Sequence, residues 1–325
     1  MENKTIIANP LYDTAFKYLM ENMEIARFFV ETIIGEQVIE INVAPQERVV
    51  KKTRRKKVGE EHKVTISEEV FSIIRYDFIA KIRTEQGVHK NVLIEVQKSS
   101  SPSNLKRFRT YIGELYKKVD VVVDGKKGKV EKSLPVIGIF ILGFDLPVKA
   151  AVIKVNRQYI DVLGKKPILE KIPFIEALTH DGYFIQVPTV GGKKPSTDLE
   201  KVLSLFEQRF FVDKNIKKTY NYPIDNKNIK KMIDVLCYVA ADPEHQKMLE
   251  AEWLAKLEEE EVENLEKELA EEKKALAEEK KALAEEKKAH AEEKKAREKA
   301  EKENAELRRQ LAKLQDNPKI ISDMS

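Results

Sequence analysis

The sequence predicts an α/β fold in which a mixed central β-sheet is flanked by helices, followed by a helical subdomain and a long coiled-coil helix. Residues 70–98 contain two β-rich runs joined by a short loop with a glycine. The most apolar run, LPVIGIFILGF at Leu134 to Phe144, has the length and β-branched content of a strand buried on both faces. Further strand-like runs at Ala151–Val155 and Tyr183–Val187 alternate with helical segments, which indicates a mixed sheet.

The N-terminal segment, residues 10–34, predicts two helices with a short break near Glu21 and Asn22. Gly35 fits the position after the second helix, where a left-handed backbone is common. Asp13 is a candidate N-cap of the first helix, because a short carboxylate accepts hydrogen bonds from free amides there. A catalytic role for Asp13 is the alternative.

Lys51 to Lys57 reads KKTRRKK, with six cations in seven positions, and interrupts a strand-like stretch between Ile39 and Ile66. This charge density excludes a core position and predicts a hairpin tip or a surface loop. The segment could simply be solvated, or it could contact phosphates, because clustered Lys and Arg gain affinity by releasing counterions from nucleic acid. The candidate nucleic-acid-binding residues here are Lys51, Lys52, Arg54, Arg55, Lys56 and Lys57.

The two β-rich runs predict a hairpin with a defined register. A three-residue loop of Glu85, Gln86 and Gly87 would place the glycine in the left-handed position and would pair Thr84 with Val88. The same register places Asp77 opposite Glu95.

Side-chain alternation puts Asp77, Glu95 and Gln97 on one face and apolar residues, among them Phe78, Ile82 and Ile94, on the core face. Two carboxylates this close repel each other unless a proton or a cation lies between them, and Mg²⁺ prefers such oxygen ligands. A shift of the register by one residue would move Asp77 to the other face.

A helix is predicted after Ser101-Pro102-Ser103. Its predicted buried stripe, at helical spacing, consists of Leu105, Phe108, Ile112, Leu115 and Val119. Arg107 and Tyr111 fall on another face, where they could be solvent-exposed or could grip a phosphate backbone.

These residues resemble those of a nuclease family. An Asp followed by Glu-x-Lys on an adjacent strand is the pattern of PD-(D/E)xK nucleases, and here the second element is Glu95-Val96-Gln97. The setting DFIAK…NVLIEVQ resembles the Rpn-type recombination-promoting nuclease branch, which is also labelled as transposase. The stretch DTAFKYL at Asp13 to Leu19 resembles the N-terminal helix of that branch, and the resemblance covers roughly residues 8–190.

The resemblance implies a restriction-endonuclease-like core and a Mg²⁺- or Mn²⁺-dependent DNA endonuclease. Asp77, Glu95 and the carbonyl of Val96 would be the metal ligands. Gln97 stands where the family has a lysine, so it can orient water but carries no charge. Lys17 is a candidate replacement for that charge, Lys98 lies on the opposite strand face, and Asp13 would approach the metal. A solvated acidic strand face without chemistry is the alternative for this group.

The C-terminal part of the chain divides into two segments. Residues 196–250 carry apolar stripes at helical spacing, such as Ile229, Met232 and Leu236, which predict a helical subdomain. Residues 251–316 contain tandem AEEKKAL-type heptads with Leu269, Leu276 and Leu283 at position a, but glutamates at several d positions. The predicted domains are therefore a nuclease-like core at 1–190, the helical subdomain at 196–250, the heptad helix at 251–316 and a flexible tail at 317–325.

The incomplete apolar seam leaves two interpretations, a weak homodimer through the heptad helix or a monomeric charged spacer. Residues 251–317 hold 16 Lys and Arg against 21 Asp and Glu, a net charge of −5; since the whole chain carries +4 and residues 318–325 are neutral, residues 1–250 carry +9. A basic body fits a polyanionic partner such as DNA.

The 325-residue chain has a single cysteine, Cys237, and no apolar run long enough to span a membrane, which together predict a cytoplasmic protein. A second function stays open beside the endonuclease: a catalytically weak or inactive nuclease fold that binds DNA, with the heptad helix as its oligomerisation stalk. A purely structural scaffold would not need the large α/β body.

Overall fold

The structure, a computed structural model, describes residues 4–45, 47–58, 64–98, 102–124 and 128–315. Within these ranges the description excludes the side chains of residues 48–58, 64–74, 102–104 and 124, and of a few residues of the last helix. The chain separates into two units, one ending at Leu257 and the other beginning at Glu258. The predicted tail at 317–325 lies outside the described residues.

The first unit contains both helices and strands, and its last helix continues along the chain into the second unit. The helices are α1 (Asp13–Glu21), α2 (Met23–Ile34), α3 (Pro102–Lys117), α4 (Pro173–Ala177), α5 (Asp198–Ser204), α6 (Lys227–Ala241) and α7 (Pro243–Gln315). The strands are β1 (Thr5–Ala8), β2 (Val38–Val43), β3 (Glu47–Val58), β4 (Val64–Arg75), β5 (Phe78–Thr84), β6 (His89–Gln97), β7 (Asp120–Asp124), β8 (Gly128–Lys132), β9 (Val136–Leu142), β10 (Val152–Val155), β11 (Tyr159–Asp161), β12 (Lys166–Ile168), β13 (His180–Gln186), β14 (Phe211–Asp213) and β15 (Lys217–Tyr220).

A six-stranded mixed sheet forms the centre of the first unit, in the order β10-β13-β9-β6-β5-β2. Strand β9 pairs in parallel with both β6 and β13, whereas the other neighbours are antiparallel. Every residue of β9 is buried, because strands cover both of its edges and helices cover both sheet faces. The predicted α/β fold with a mixed central sheet is confirmed.

The hairpin of β5 and β6 has the predicted register. Phe78 pairs with Ile94 and Arg83 with His89. The amide of Thr84 donates to the carbonyl of Val88 at 2.9 Å, and Gly87 has a φ of 78°, the left-handed conformation that favours glycine. The register therefore leaves Asp77 opposite Glu95.

Both faces of this hairpin are covered. The face with Phe78, Ile82 and Ile94 joins the main hydrophobic core, as expected. The face that carries the carboxylates is partly covered by α3, which packs on Ile79 and Leu93.

The predicted orientation of α3 is partly wrong. Leu105 and Val119 are exposed, whereas Tyr111 is buried, with only 7 % of its surface exposed. Its ring meets the ring of Tyr76 edge-on at 4.9 Å. The helix therefore turns a different side toward the sheet than its apolar spacing predicts. The ring of Tyr111 packs with Tyr76, Ile79 and Leu93 on the sheet face that carries the carboxylates.

Helices α1 and α2 are separated at Asn22, as predicted. The side chain of Asn22 accepts from the amides of Glu24 and Ile25, and Gly35 ends α2 with a φ of 70°. The expected N-cap role of Asp13 is wrong, because Asp13 is the first residue of α1 and the N-cap is Tyr12, which makes no side-chain cap.

The segment at 196–250 contains helices α5 and α6, and also the strands β14 and β15, which the helical pattern did not indicate. Strand β15 pairs with β1 and β14 in a second, three-stranded sheet. Residues of α5 and α6, such as Leu203 and Leu236, belong to the same hydrophobic cluster as the N-terminal helices.

The basic stretch at 51–57 lies within β3, which pairs with β4 along 12 residues of each strand. The cations are therefore in a strand and not at a hairpin tip. Their side chains lie outside the described residues.

Helix α7 contains 73 residues and begins before the predicted start of the heptad segment. In the second unit, Leu269, Leu276 and Leu283, three of the leucines at position a, are each 49 % exposed. In the part of the chain that the structure describes, no helix combines the length and apolar character needed to cross a membrane.

Candidate active site

Asp77 and Glu95 meet at the carboxyl end of β6. The amide of Val96 donates to Asp77 Oδ2 at 2.6 Å, and the amide of Asp77 donates to Glu95 Oε1 at 3.4 Å. Each carboxylate thus accepts from the backbone of the neighbouring strand, an arrangement that follows from the hairpin register. Glu95 has no exposed surface.

Burial makes the charged form of both carboxyl groups unfavourable. Burial is the largest cause that raises the pKa of Asp77 to about 6; the nearby Asp13 also raises it, whereas the amide of Val96, Arg107 and Lys17 lower it. The pKa of Glu95 is raised well above its usual range, first by burial and then by the charge of Asp77. The pair therefore favours a bound proton or cation at neutral pH.

Some oxygen atoms of this cluster are left without partners. Among the described residues, Glu95 Oε2 and Asp13 Oδ1 are buried and have no hydrogen-bond partner. Unpaired carboxylate oxygens are suitable ligands for a hard divalent cation, so Asp77 and Glu95 fit Mg²⁺ or Mn²⁺ chemically. Within the described ranges, however, no three His, Cys, Asp or Glu side chains are grouped as a metal site. For Val96 the structure gives the amide contact to Asp77, and the carbonyl as a ligand stays a prediction.

Gln97 is linked to α3. It is 5 % exposed, and its Oε1 accepts a hydrogen bond of 2.9 Å from Arg107 Nη2. The same Nη2 is 3.9 Å from Glu95 Oε2, close enough for an ion pair but too far for a hydrogen bond. Arg107 therefore brings a positive charge to the position where Gln97 brings none.

Helix α1 contributes Asp13 and Lys17. Lys17 Nζ lies 2.8 Å from Asp13 Oδ2, one helical turn away, and both groups are near enough to influence the pKa of Asp77. Lys98 is directed elsewhere: its Nζ is 3.3 Å from Glu252 and 4.2 Å from the centre of the Tyr12 ring. The structure thus brings Asp13, Lys17, Asp77, Glu95, Gln97 and Arg107 together.

The predicted nucleic-acid contacts have different outcomes. Arg107 is partly exposed and also contacts Gln97 and Glu95. Tyr111 is buried beside the carboxylates, so the expected surface position of Tyr111 is wrong. Burial is the main reason that the pKa of Tyr111 is raised to about 12, followed by the charge of Glu95. For Lys51, Lys52, Arg54, Arg55, Lys56 and Lys57 only the strand backbone is described.

Sequence reasoning missed Glu252, whose carboxylate contacts the start of α1. More than 230 residues separate the partners, so no local pattern could have indicated the contact. Comparison of the chain with protein-family models, with curated proteins and with solved structures finds no match. The nuclease resemblance therefore depends on the residues quoted above.

Proposed function

We propose that this protein is a Mg²⁺- or Mn²⁺-dependent DNA endonuclease with a restriction-endonuclease-like core, of the recombination-promoting nuclease type that is also labelled as transposase. The observation that carries the proposal is the carboxyl pair of the half-buried Asp77 and the fully buried Glu95, whose Oε2 accepts no hydrogen bond. A fully buried carboxylate is costly to keep when one of its oxygens accepts no hydrogen bond and its nearest cation, Arg107, stays 3.9 Å away, which favours a role beyond stability.

In this proposal the carboxylates of Asp77 and Glu95 would hold the cation. When bound, the cation lowers the pKa of water and offsets the negative charge that develops on the phosphate. The backbone amide of Val96 fixes the carboxylate of Asp77 through the 2.6 Å hydrogen bond. Asp13 adds negative charge beside the pair, and Lys17 limits that charge through its ion pair.

Arg107 supplies the positive charge that Gln97 lacks. The side chain of Gln97 fixes the guanidinium through the 2.9 Å hydrogen bond. The other guanidinium nitrogens can then bind a phosphate oxygen, and Nε is buried without a partner among the described groups. This assignment changes the predicted replacement for the missing lysine from Lys17 to Arg107.

DNA as the substrate is supported by the net charge of +9 in residues 1–250 and by the backbone of β3 and β4. Two strands of 12 residues form a ribbon about 40 Å long, and two-stranded ribbons fit the major groove. The cations at 51–57 lie along this ribbon in the chain.

A DNA-binding protein with weak or no cleavage is the second candidate. Two observations favour it: Gln97 is uncharged, and the described residues hold no group of three metal-ligating side chains. In that case the heptad helix would act as a homodimerisation stalk.

A supercoiled-plasmid assay in Mg²⁺ or Mn²⁺ tests the proposal. We expect the wild type to cleave, Asp77→Asn and Glu95→Gln to lose cleavage, and EDTA to abolish it. Arg107→Ala should slow cleavage at least about tenfold, a loss of about 1.4 kcal/mol of transition-state stabilisation. Arg83→Ala, which removes an arginine of β5 that pairs with Glu40 of β2, is the matched control and should cleave normally.

Binding of DNA in a gel shift without any cleavage would overturn the endonuclease and favour the second candidate. Cleavage that survives in both carboxyl variants would contradict the assigned site.

A further inference from the structure

The carboxylate of Glu252, in the first turns of α7, binds the N-terminus of α1. Glu252 Oε2 accepts from the amide of Asp13 at 2.7 Å, and Oε1 accepts from the amide and the hydroxyl of Thr14 at 2.7 and 2.5 Å. A fourth contact, from Lys98 Nζ to Oε2, is 3.3 Å long. Glu252 lies within the first unit, so these contacts belong to one body.

These contacts replace a local helix cap. Tyr12, the N-cap of α1, makes no side-chain hydrogen bond to the helix. The first amides of a helix have no partner within it, and their positive end favours an anion. Glu252 meets both needs from a distant part of the chain.

Two of the groups held by Glu252 flank the proposed active site. Asp13, whose amide is bound, and Lys17, one turn later, form an ion pair of 2.8 Å and lie near enough for their charges to change the pKa of Asp77. Lys98, which pairs with Glu252, directly follows Gln97 in the chain. A shift of Glu252 would therefore move α1 relative to the end of β6.

We propose that Glu252 is a positioning residue, which fixes the distance of Asp13 and Lys17 from the carboxyl pair. This inference rests on the proposed function, because it assigns Glu252 to the geometry of that same site. The carboxylate acts through α1 and has no contact with the reacting groups.

Glu252→Gln tests the inference, because it keeps the side-chain length and replaces one accepting oxygen by an amide that cannot accept. The matched control is Glu250→Gln on the same helix, which removes the exposed carboxylate paired with Lys214 at 3.3 Å. We expect Glu252→Gln to slow metal-dependent cleavage about tenfold while DNA affinity changes less than about twofold. Glu250→Gln should match the wild type.

A double-variant cycle separates positioning from general stabilisation. If Glu252 acts through Asp13, the loss in Glu252→Gln should largely disappear when Asp13→Asn is already present. Full additivity of the two losses, or equal cleavage by Glu252→Gln and Glu250→Gln, would overturn the inference.

Mn²⁺ affinity, measured without DNA, gives a readout that does not depend on cleavage. If the wild type does not cleave, the endonuclease proposal fails. The Mn²⁺ affinity then tests the positioning role of Glu252 independently of cleavage. Weaker Mn²⁺ binding in Glu252→Gln, but not in Glu250→Gln, would support positioning. Equal affinity in all three proteins, or no Mn²⁺ binding by the wild type, would overturn it.

Discussion

At the scale of single residues, the main feature is a conflict between burial and charge. Asp77 and Glu95 accept backbone hydrogen bonds that favour their ionised forms, yet burial raises both pKa values, and the charges of Asp13 and of Asp77 raise those of Asp77 and Glu95 respectively. A cation would remove this conflict. Without one, the pair lowers the stability of the folded chain at neutral pH.

Asp77→Asn should therefore stabilise the metal-free protein at high pH. A carboxyl group whose pKa rises from 3.8 to about 6 on folding costs stability once the pH exceeds the unfolded value. The cost grows between pH 4 and 6 and is complete above 6, at about 2–3 kcal/mol. Asparagine retains an acceptor for the amide of Val96.

Thermal unfolding in EDTA from pH 4 to pH 8 checks this prediction. The variant should melt at a higher temperature than the wild type at pH 8, and the difference should disappear near pH 4. Asp234→Asn, at an exposed carboxylate, should give no such difference. Equal or lower stability of Asp77→Asn at pH 8 would contradict the assigned burial cost.

The sequence predicted the carboxyl pair but not its surroundings. A glycine loop and side-chain alternation were sufficient to align Asp77 with Glu95, because both lie in one hairpin. Arg107 reaches the pair from α3, whereas Glu252 on α7 contacts the start of α1, and both contacts depend on how those helices pack. The predicted buried stripe of α3 is partly wrong for the same reason. Helical spacing identifies residues that share a face, but it does not show which face packs on the sheet.

At the scale of elements, the heptad part of α7 is notable because its apolar side chains are not covered by the rest of the described chain. Its leucines at positions a are about half exposed, and the i,i+4 pair of Arg297 and Glu301 is on the surface. Charged pairs support a single helix, whereas an apolar seam favours a partner helix. A second copy of this chain would cover the seam in the proposed weak homodimer.

Replacing both Leu276 and Leu283 by lysine should abolish that dimer, because it places charges in the seam. Sedimentation equilibrium over a range of concentrations should show association of the wild type and a monomer for the variant. The double change Ala277→Lys with Ala284→Lys adds the same charge beside the seam and should still associate. A wild type that is monomeric at every concentration would instead favour the spacer.

At the scale of the whole molecule, the sheet topology explains where the site lies. Strands β6, β9 and β13 are parallel, and Glu95 and Gln97 lie at the carboxyl end of β6. Ligands of open α/β sheets commonly bind outside the carboxyl ends of strands. The net charge of +9 in residues 1–250 suits the polyanionic substrate that we propose.

A Mn²⁺ titration of the purified chain, followed by electron paramagnetic resonance at pH 7.5, tests the central claim most directly. We expect the wild type to bind Mn²⁺, and both Asp77→Asn and Glu95→Gln to bind at least about tenfold more weakly. Asp120→Asn is the matched control, because it changes a buried carboxylate that is paired with Asn91 and Lys118. Equal Mn²⁺ affinity in the wild type and both site variants would contradict the assignment of Asp77 and Glu95 as a metal site.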